Sequence, residues 1–468
     1  MSEIKQLEAD YLIIGAGAMG LAFADELLKH DKQASIVFAE RRGMSGGHWV
    51  DAYDHVKLHQ PAIAYGVNSL ELSESKTDLS SRPQIIHYFE RISKNLVSTG
   101  RARFLFKCDF VGEQPLDKGA IATVASNIDE GVSYRIHVKR KIVDSGYMRV
   151  EVPATHPPRY KVDGDVQLVA PNALTKLERS FSKYVVVGAG KTGIDAILYL
   201  LDNGVIPERI QWVISNDMWM WPREMAAPNT VGDMLSGQLQ GLIDNAEIDD
   251  AFLQMEREGI VFRLDKNVQP TKWRCATVSM PELEQLKSIK QVLRKGRVAR
   301  VSTTHLHFES GEEQALSRNA LIVNCSANGL AKRRAKSIFA DGHITLQPIL
   351  VCQQVFSAAY IGRLETSSLS DAQKNEVCFP VPHPENVEDL PYCMVNSFEN
   401  LVKATRIIPW WLYRSRLNLL AQAPLFILVK VWLRIQRQLP QARRALDQVY
   451  VHNQLEPVQQ TQQDAKRA

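Results

Sequence analysis

The sequence predicts an α/β chain made of two Rossmann-like dinucleotide-binding domains followed by a helical C-terminal segment. Three observations carry this expectation. An apolar run, YLII at 11–14, stops at GAGAMG and is followed by a helix-spaced stretch and a second apolar run. The same order recurs where YVVV at 184–187 meets GAGKTG. The stretch from Asn400 to Leu446 is rich in Arg and Lys and holds no Asp or Glu. With 468 residues, 45% of them hydrophobic and 23% charged, the chain has ordinary globular composition. That length is enough for about two to four domains.

The first unit reads strand, glycine turn, helix, strand, acid. LAFADELLKH places Leu21, Ala24, Leu27 and Leu28 on one helical face, and ASIVFA forms a strand that ends at Glu40. In such a unit Gly15 lets the chain turn sharply, Gly17 lets the backbone approach a pyrophosphate, and Gly20 lets helix and strand pack closely. The helix N-terminus offers free N–H groups and a positive dipole end to phosphates. Glu40 is placed to accept hydrogen bonds from ribose hydroxyls. The alternative is a glycine turn in a parallel sheet that binds nothing.

In the second unit Gly188, Gly190 and Gly193 take the same three roles, IDAILYLLDNG forms the helix, and RIQWVIS forms the strand. Counting along that strand puts Ser215 at about the position of Glu40. An acid there would repel the 2′-phosphate of NADP, whereas serine permits it. Lys191 and Arg223 are nearby cations able to pair with that phosphate, so NADPH is expected over NADH. Lys191 also reads equally well as a solvated loop residue. Two such units, the first close to the N-terminus, are the layout of flavoproteins that hold FAD in the first fold and a nicotinamide in the second. One fold then holds the hydride donor and the other its acceptor.

Several tracts go beyond generic dinucleotide chemistry. Glu40 precedes GGHW at 46–49 and YDHVKLHQP at 53–61, and the second turn continues as GAGKTGIDA. RKIVDSGYMRVEVPATHPP spans 140–158, and ALIVNCSANGL spans 320–330. Together these resemble the class B flavin-dependent monooxygenases, a group that includes the microsomal flavin monooxygenases, the plant auxin-forming enzymes and the Baeyer–Villiger enzymes. The likeness covers roughly residues 8–225 and 318–330. ATH at 154–156 and SANG at 326–329 stand where that family carries ATG, and its aromatic-Gly-x-x-x-His fingerprint is absent before the second turn.

The resemblance implies NADPH-driven oxygenation of a small, lipophilic substrate through a flavin hydroperoxide, with molecular oxygen as co-substrate. It further implies that 46–61 lies along the flavin. Gly46 and Gly47 would allow backbone contact, Trp49 would pack on the cofactor or its loop, and His59 and Gln60 would face the reactive edge. His48 and His55 read as structural. Two other functions stay open: an FAD oxidoreductase that passes electrons to a quinone or protein acceptor without oxygenation, and a non-catalytic nucleotide-binding protein.

The remaining elements follow in order. NDMWMWPREM at 216–225 either packs in the core, stacks on adenine or lines a substrate channel. EIDDAFLQMEREG and PELEQLKSIKQVLRKG read as helices of an insertion, ahead of the alternating RVARVSTTHLHFESG. HITLQPILVCQQVFSAAYIGRLE at 343–365 is expected to return to the first domain, with His343, Gln347 and Gln353 as minor flavin-contact candidates. The expected division is therefore 1–155 and 319–400 for the FAD-binding domain, 156–318 for the NAD(P)H-binding domain, 401–456 for the basic helical segment and 457–468 for a disordered polar tail.

Within the basic segment LNLLAQAPLFILV at 417–429 is too short for a bilayer, and Pro424 is expected to split it into two short helices. The segment reads either as a cap that buries its apolar face on the body or as an interfacial helix on an anionic membrane. A formal charge of +4 gives no reason to expect a nucleic-acid partner. The polar start MSEIKQLEAD shows no secretory signal, so a cytoplasmic or membrane-associated location is expected. Cys108, Cys275, Cys325, Cys352, Cys378 and Cys393 lack CxxC or His spacing. That pattern predicts reduced thiols, no metal site and no redox dithiol.

Overall fold

The computed structural model describes residues 3–452 apart from 76, 127, 129, 130 and 328. The tail expected at 457–468 lies outside the described residues. The first apolar run ends the strand Glu3–Ile14, which leads through Gly15 into the helix Ala18–His30 and then the strand Ile36–Glu40. A second crossover helix, Arg82–Ser98, delivers Ala102–Phe106 to the same sheet. From one side the parallel order is His343–Thr345, Val132–Asp144, Glu3–Ile14, Ile36–Glu40 and Ala102–Phe106. Parallel neighbours need crossovers, and these two helices supply them for the three strands from Glu3–Ile14 to Ala102–Phe106. The segment 343–365 therefore does return to the first sheet. Its helix Gln354–Glu365 lies so close to Ala18–His30 that a Cβ on Gly362 would sit 2.7 Å from the Phe23 carbonyl oxygen.

The first sheet is mixed, since Cys108–Pro115, Ala120–Ser126 and Phe339–Ala340 join it by antiparallel pairing, whereas the second is parallel throughout. Its order is Gln291–Leu293, Ile210–Val213, Lys183–Val187, Ala320–Asn324 and Leu168–Val169. The helix Lys191–Asp202 follows its glycine turn. Here one expectation fails: the helix begun by PELEQLK ends at Lys287, and QVL becomes the edge strand of this sheet. Pairing with Ile210–Val213 outweighs the local helical pattern.

The C-terminal segment differs from expectation as well. Pro424 does break the run, but unequally: a single 3-10 turn, Leu419–Gln422, precedes it and the 28-residue helix Leu425–His452 begins beside it, with the amides of Ile427 at 2.9 Å and Leu428 at 3.0 Å donating to the Pro424 carbonyl. Proline is tolerated there because the first turn has no intrahelical use for its missing N–H. This helix buries Val431, Ile435, Leu439 and Ala442. It packs on Val231–Asp244 and Leu390–Ala404, with Arg443 bonded to Glu399. Just ahead of it, the buried Arg416 guanidinium donates to the carbonyls of Val67, Ile63 and Tyr65. No helix among the described residues is long and apolar enough to cross a membrane.

Candidate active site

The first glycine turn has the geometry its sequence requires. Gly15 adopts φ +94°, and its amide donates to Ala39 at 2.8 Å. A Cβ on Gly20 would lie 2.6 Å from the Gly15 carbonyl oxygen, so only glycine lets the helix approach the strand this closely. Gly17 caps the helix without any side-chain bond, leaving the first-turn amides free of competition. Glu40 is buried; its two oxygens accept from the amides of Ala16 at 2.7 Å and Arg42 at 2.9 Å. The GGHW loop backs onto this turn: Gly46 donates to Ala16 at 2.9 Å, and a Cβ on Gly17 would meet the Cα of Gly47 at 3.4 Å. Trp49 points into the core and donates to the Tyr65 hydroxyl at 2.7 Å, so it packs on its own loop.

The second turn repeats the backbone and changes its surroundings. Gly188 has φ +129° and donates to Val213 at 3.1 Å. A Cβ on Gly193 would sit 2.0 Å from the Gly188 carbonyl oxygen, whereas one on Gly190 would meet nothing within 4 Å. Gly190 too caps its helix with no side-chain bond. The strand register corrects the sequence count by one. Gly15 pairs with Ala39 and Gly188 with Val213, so the residue equivalent to Glu40 is Ile214, which is buried, and Ser215 is the exposed residue after it.

Neither expected phosphate cation stands free. Lys191 is ion-paired with Asp195 one turn along its own helix. Arg223 lies elsewhere: its guanidinium donates to the His59 carbonyl at 3.1 Å and to Glu282 at 2.8 Å. Next to Ser215, Arg294 is bonded to Asp217 at 2.8 Å.

The tract 53–61 joins the two units. Tyr53 donates to Asp195 at 2.6 Å, and the His55 ring stacks on Tyr199 with centroids 4.3 Å apart. The His59 carbonyl accepts from Arg223 and from the Thr277 hydroxyl. His59 and Gln60 line a cavity of about 210 Å³ between the units, together with Trp221, Gln354 and His383. Burial and the positive charges of Lys191 and Arg223 push the His59 pKa down to about 3, so its imidazole is neutral at ordinary pH.

Three polar groups in this cavity lack partners: His59 Nδ1, Trp221 Nε1 and the Gln354 amide. Buried polar atoms left unpaired are costly, and a polar-edged ring bound between the units would satisfy them. Together with the two glycine turns and their uncapped helices, these atoms fit a dinucleotide flavin and a nicotinamide. Two of the minor candidates do not belong to this cavity. His343 pairs with Glu113 at 2.7 Å, and Gln347 is bonded to the backbone of Lys336. The aromatic cluster at 216–225 divides, with Trp219 stacked on Phe252 in the core and Trp221 in the cavity.

The sequence missed three residues here. Cys275 and Cys352, 77 positions apart, form a disulfide with Cα atoms 6.4 Å apart, and the His383 Nε2 lies 4.0 Å from the Cys352 sulfur. The expectation of six thiols is corrected: Cys108, Cys325, Cys378 and Cys393 are free and buried. Local spacing carries no signal for a pairing that only tertiary packing creates.

Two sheets with parallel central strands, each with a glycine turn feeding a helix, and a tract bridging them define a two-dinucleotide-binding flavoprotein fold. The open crystal structure of cyclohexanone monooxygenase shares it, with a TM-score of 0.51 at 13% identity over 86% of this chain and 99% of that one. So does the ε-caprolactone-bound enzyme in its loose conformation, with a TM-score of 0.51 at 14% identity over 80% and 92% of the two chains. At such identity the likeness is one of fold.

In sequence, the uncharacterized protein Rv2000 of Mycobacterium tuberculosis is 38% identical over 436 residues, covering 89% of this chain and 79% of that protein. The uncharacterized protein Mb2023 of Mycobacterium bovis matches to the same extent. The chain belongs to the family of these mycobacterial proteins. No protein-family model matches it.

Proposed function

We propose that the protein is an FAD-dependent, NADPH-consuming monooxygenase of a small, lipophilic substrate. The observation that carries this reading is the cavity at the end of the tract that bridges the two units, apolar in most of its lining yet lined by His59, Trp221 and Gln354, whose polar atoms are unpaired. FAD is assigned to the turn of Gly15, Gly17 and Gly20 with Glu40, and NADPH to that of Gly188, Gly190 and Gly193. A bound flavin would supply hydride acceptance and oxygen activation. The chain itself orients and shelters. Toward a bound ring Trp221 would donate a hydrogen bond, Gln354 would donate and accept, and neutral His59 would offer Nδ1 without adding a charge. Arg223 and Thr277 fix the His59 carbonyl, and Met234, Leu350 and Leu401 help exclude water. The lack of an acid at Ile214 and Ser215 supports the phosphorylated nicotinamide.

The test is purification with bound flavin, identified after denaturation, followed by NADPH consumption with a panel of small lipophilic compounds. One oxygenated product per NADPH supports the reading. Peroxide as the sole product with every compound overturns oxygenation. A second reading, electron transfer without oxygenation, is favoured by the disulfide in the same cavity.

The C-terminal segment carries a separate proposal, contact with an anionic membrane surface. Its outward side exposes Trp410 (73%), Leu425 (60%) and Phe426 (74%), near the exposed cations Arg406, Arg414 and Lys430. Aromatic and basic residues together suit the interface. Replacing Trp410 and Phe426 with Glu should abolish cosedimentation with anionic vesicles and leave thermal stability unchanged; undiminished binding overturns the proposal.

A further inference from the structure

We propose that Cys275–Cys352 is a redox-active disulfide, opened by an electron pair delivered into the cavity, with His383 holding the proton of Cys352. The flavin reading supplies one electron source for this proposal, but the sulfur chemistry stands without it. The two sulfurs and a His383 ring nitrogen lie within 4.8 Å of one another, and all three residues line the cavity shared by His59 and Gln60.

The backbone presents both cysteines in an unusual way. Cys275 has φ +57° and Cys352 φ +60°, two of the four described non-glycine residues with positive φ. Side-chain-bearing residues are held there where the surrounding structure fixes them, and such positions cluster at functional sites. Cys275 also falls in the register shift between the pairs Trp219–Trp273 and Trp221–Thr277. A shift of this kind re-aims side chains.

His383 is oriented for proton handling. Its Nδ1 lies 2.9 Å from the Pro384 carbonyl, which can only accept, so Nδ1 carries the hydrogen and Nε2 presents a lone pair toward Cys352. Burial pushes the imidazole pKa down to about 4, so the ring rests neutral, with Nε2 available as a hydrogen-bond acceptor for the Cys352 thiol.

On reduction the Sγ–Sγ bond takes up two electrons and two protons and becomes two thiols, while the donor loses two electrons. Reduced flavin is the donor in the loaded protein. A soluble dithiol, closing to its own disulfide, is a donor in any form of the protein. The Cys352 thiol hydrogen-bonds to Nε2 and gives up its proton there as the sulfur attacks, so that His383 acts as the base during the step, and the proton goes on to the departing thiol. The matching acceptor is a small disulfide. Cys352 attacks it, one thiol leaves, and Cys275 then displaces the second thiol and restores the original bond.

The experiment is differential alkylation and mass spectrometry of the full-length protein, anaerobically, before and after NADPH or a soluble dithiol under native conditions. We expect Cys275 and Cys352 to be linked at first and both alkylated after either treatment. NADPH uptake should be two equivalents in the wild type and one in Cys352→Ser or Cys275→Ala. His383→Asn should slow Cys352 alkylation at neutral pH by at least ~10-fold and move its pH profile upward, a readout that a packing role would not shift.

Flavin bleached by one NADPH equivalent with the pair still linked overturns the proposal and leaves the flavin reading intact. Absence of flavin sinks that reading alone, and the dithiol arm still decides: opening supports the proposal, and a pair that stays linked until denaturation marks a structural staple and overturns it. A tightly bound metal protecting both cysteines in freshly purified protein also overturns it.

Discussion

The two glycine turns share a spacing and a backbone but differ in what stands behind them. Behind the first lie a buried acid and the backbone of Gly46 and Gly47. The second has an apolar Ile214 in the acid's place and open space at Gly190. Its lysine is paired within its own helix. The glycine spacing specifies the turn and the uncapped helix start, while the closing strand and the loop behind it decide whether an acid or an apolar side chain stands beside that turn. The difference also separates two kinds of glycine: Gly20 and Gly193 are fixed by the protein's own packing, whereas nothing in the protein demands Gly190.

The largest effect should come from placing a charge in each turn. Gly17→Asp should give protein without visible flavin absorbance. Gly190→Asp should keep the flavin but weaken NADPH binding by ~100-fold or more, because an anion then faces the phosphate-binding helix end. Equal loss of both ligands in both variants would end the assignment of one cofactor to each turn.

A smaller effect tests packing. Gly193→Ala and Gly20→Ala should each lower stability by about 1–3 kcal/mol through overpacking. Gly193→Ala should cost more, since its Cβ would be 2.0 Å from a carbonyl oxygen against 2.6 Å for Gly20; thermal midpoints measure the order.

Exchange of the closing residue should matter less again. Glu40→Gln should weaken FAD binding by ~10-fold through loss of a charge-assisted bond. Ile214→Glu should shift preference from NADPH toward NADH by a similar ~10-fold, as an acid there opposes the 2′-phosphate. Unchanged cofactor preference, read from KM for each nicotinamide, would break the register argument.

A further effect is one of pH, and it grows only as the solution is made acidic. Burial lowers the pKa of His48 and His55 to about 4 and of His59 to about 3. These folded values lie below the unfolded value of about 6.5, so the unfolded chain takes the proton first as pH falls. Stability from these groups is complete above pH of about 6.5 and declines toward about 4, by at most ~1.4 kcal/mol per pH unit for each histidine. All three belong to the tract beside the first turn. His59→Gln should therefore flatten the acid limb of the thermal midpoint, and an unchanged limb would show that His59 is not held neutral.

Much of the scaffold was legible because its signals are local. Gly20 and Gly193 are required by carbonyl oxygens five residues back, Gly15 and Gly188 by their own positive φ, and apolar runs of four or five residues mark the central strands. Where a partner distant in sequence decides, legibility fell. QVL continued a helical pattern but pairs with a strand about 80 positions away. Arg223 looked like a phosphate cation near Ser215, yet the tertiary structure turns it to His59, 164 positions away. The basic segment read as either cap or membrane surface, and the structure gives it one buried face and one exposed face.

By itself, then, the sequence determined two dinucleotide-binding turns, their order, and an irregular tract behind Glu40, since hydrophobic runs and glycine spacing act over a few residues. Only the tertiary structure decided that this tract bridges the two units, that Ile214 replaces the acid, and that Cys275, Cys352 and His383 share one cavity with His59. Those meetings depend on the packing of whole domains, which brings together groups that no local rule connects.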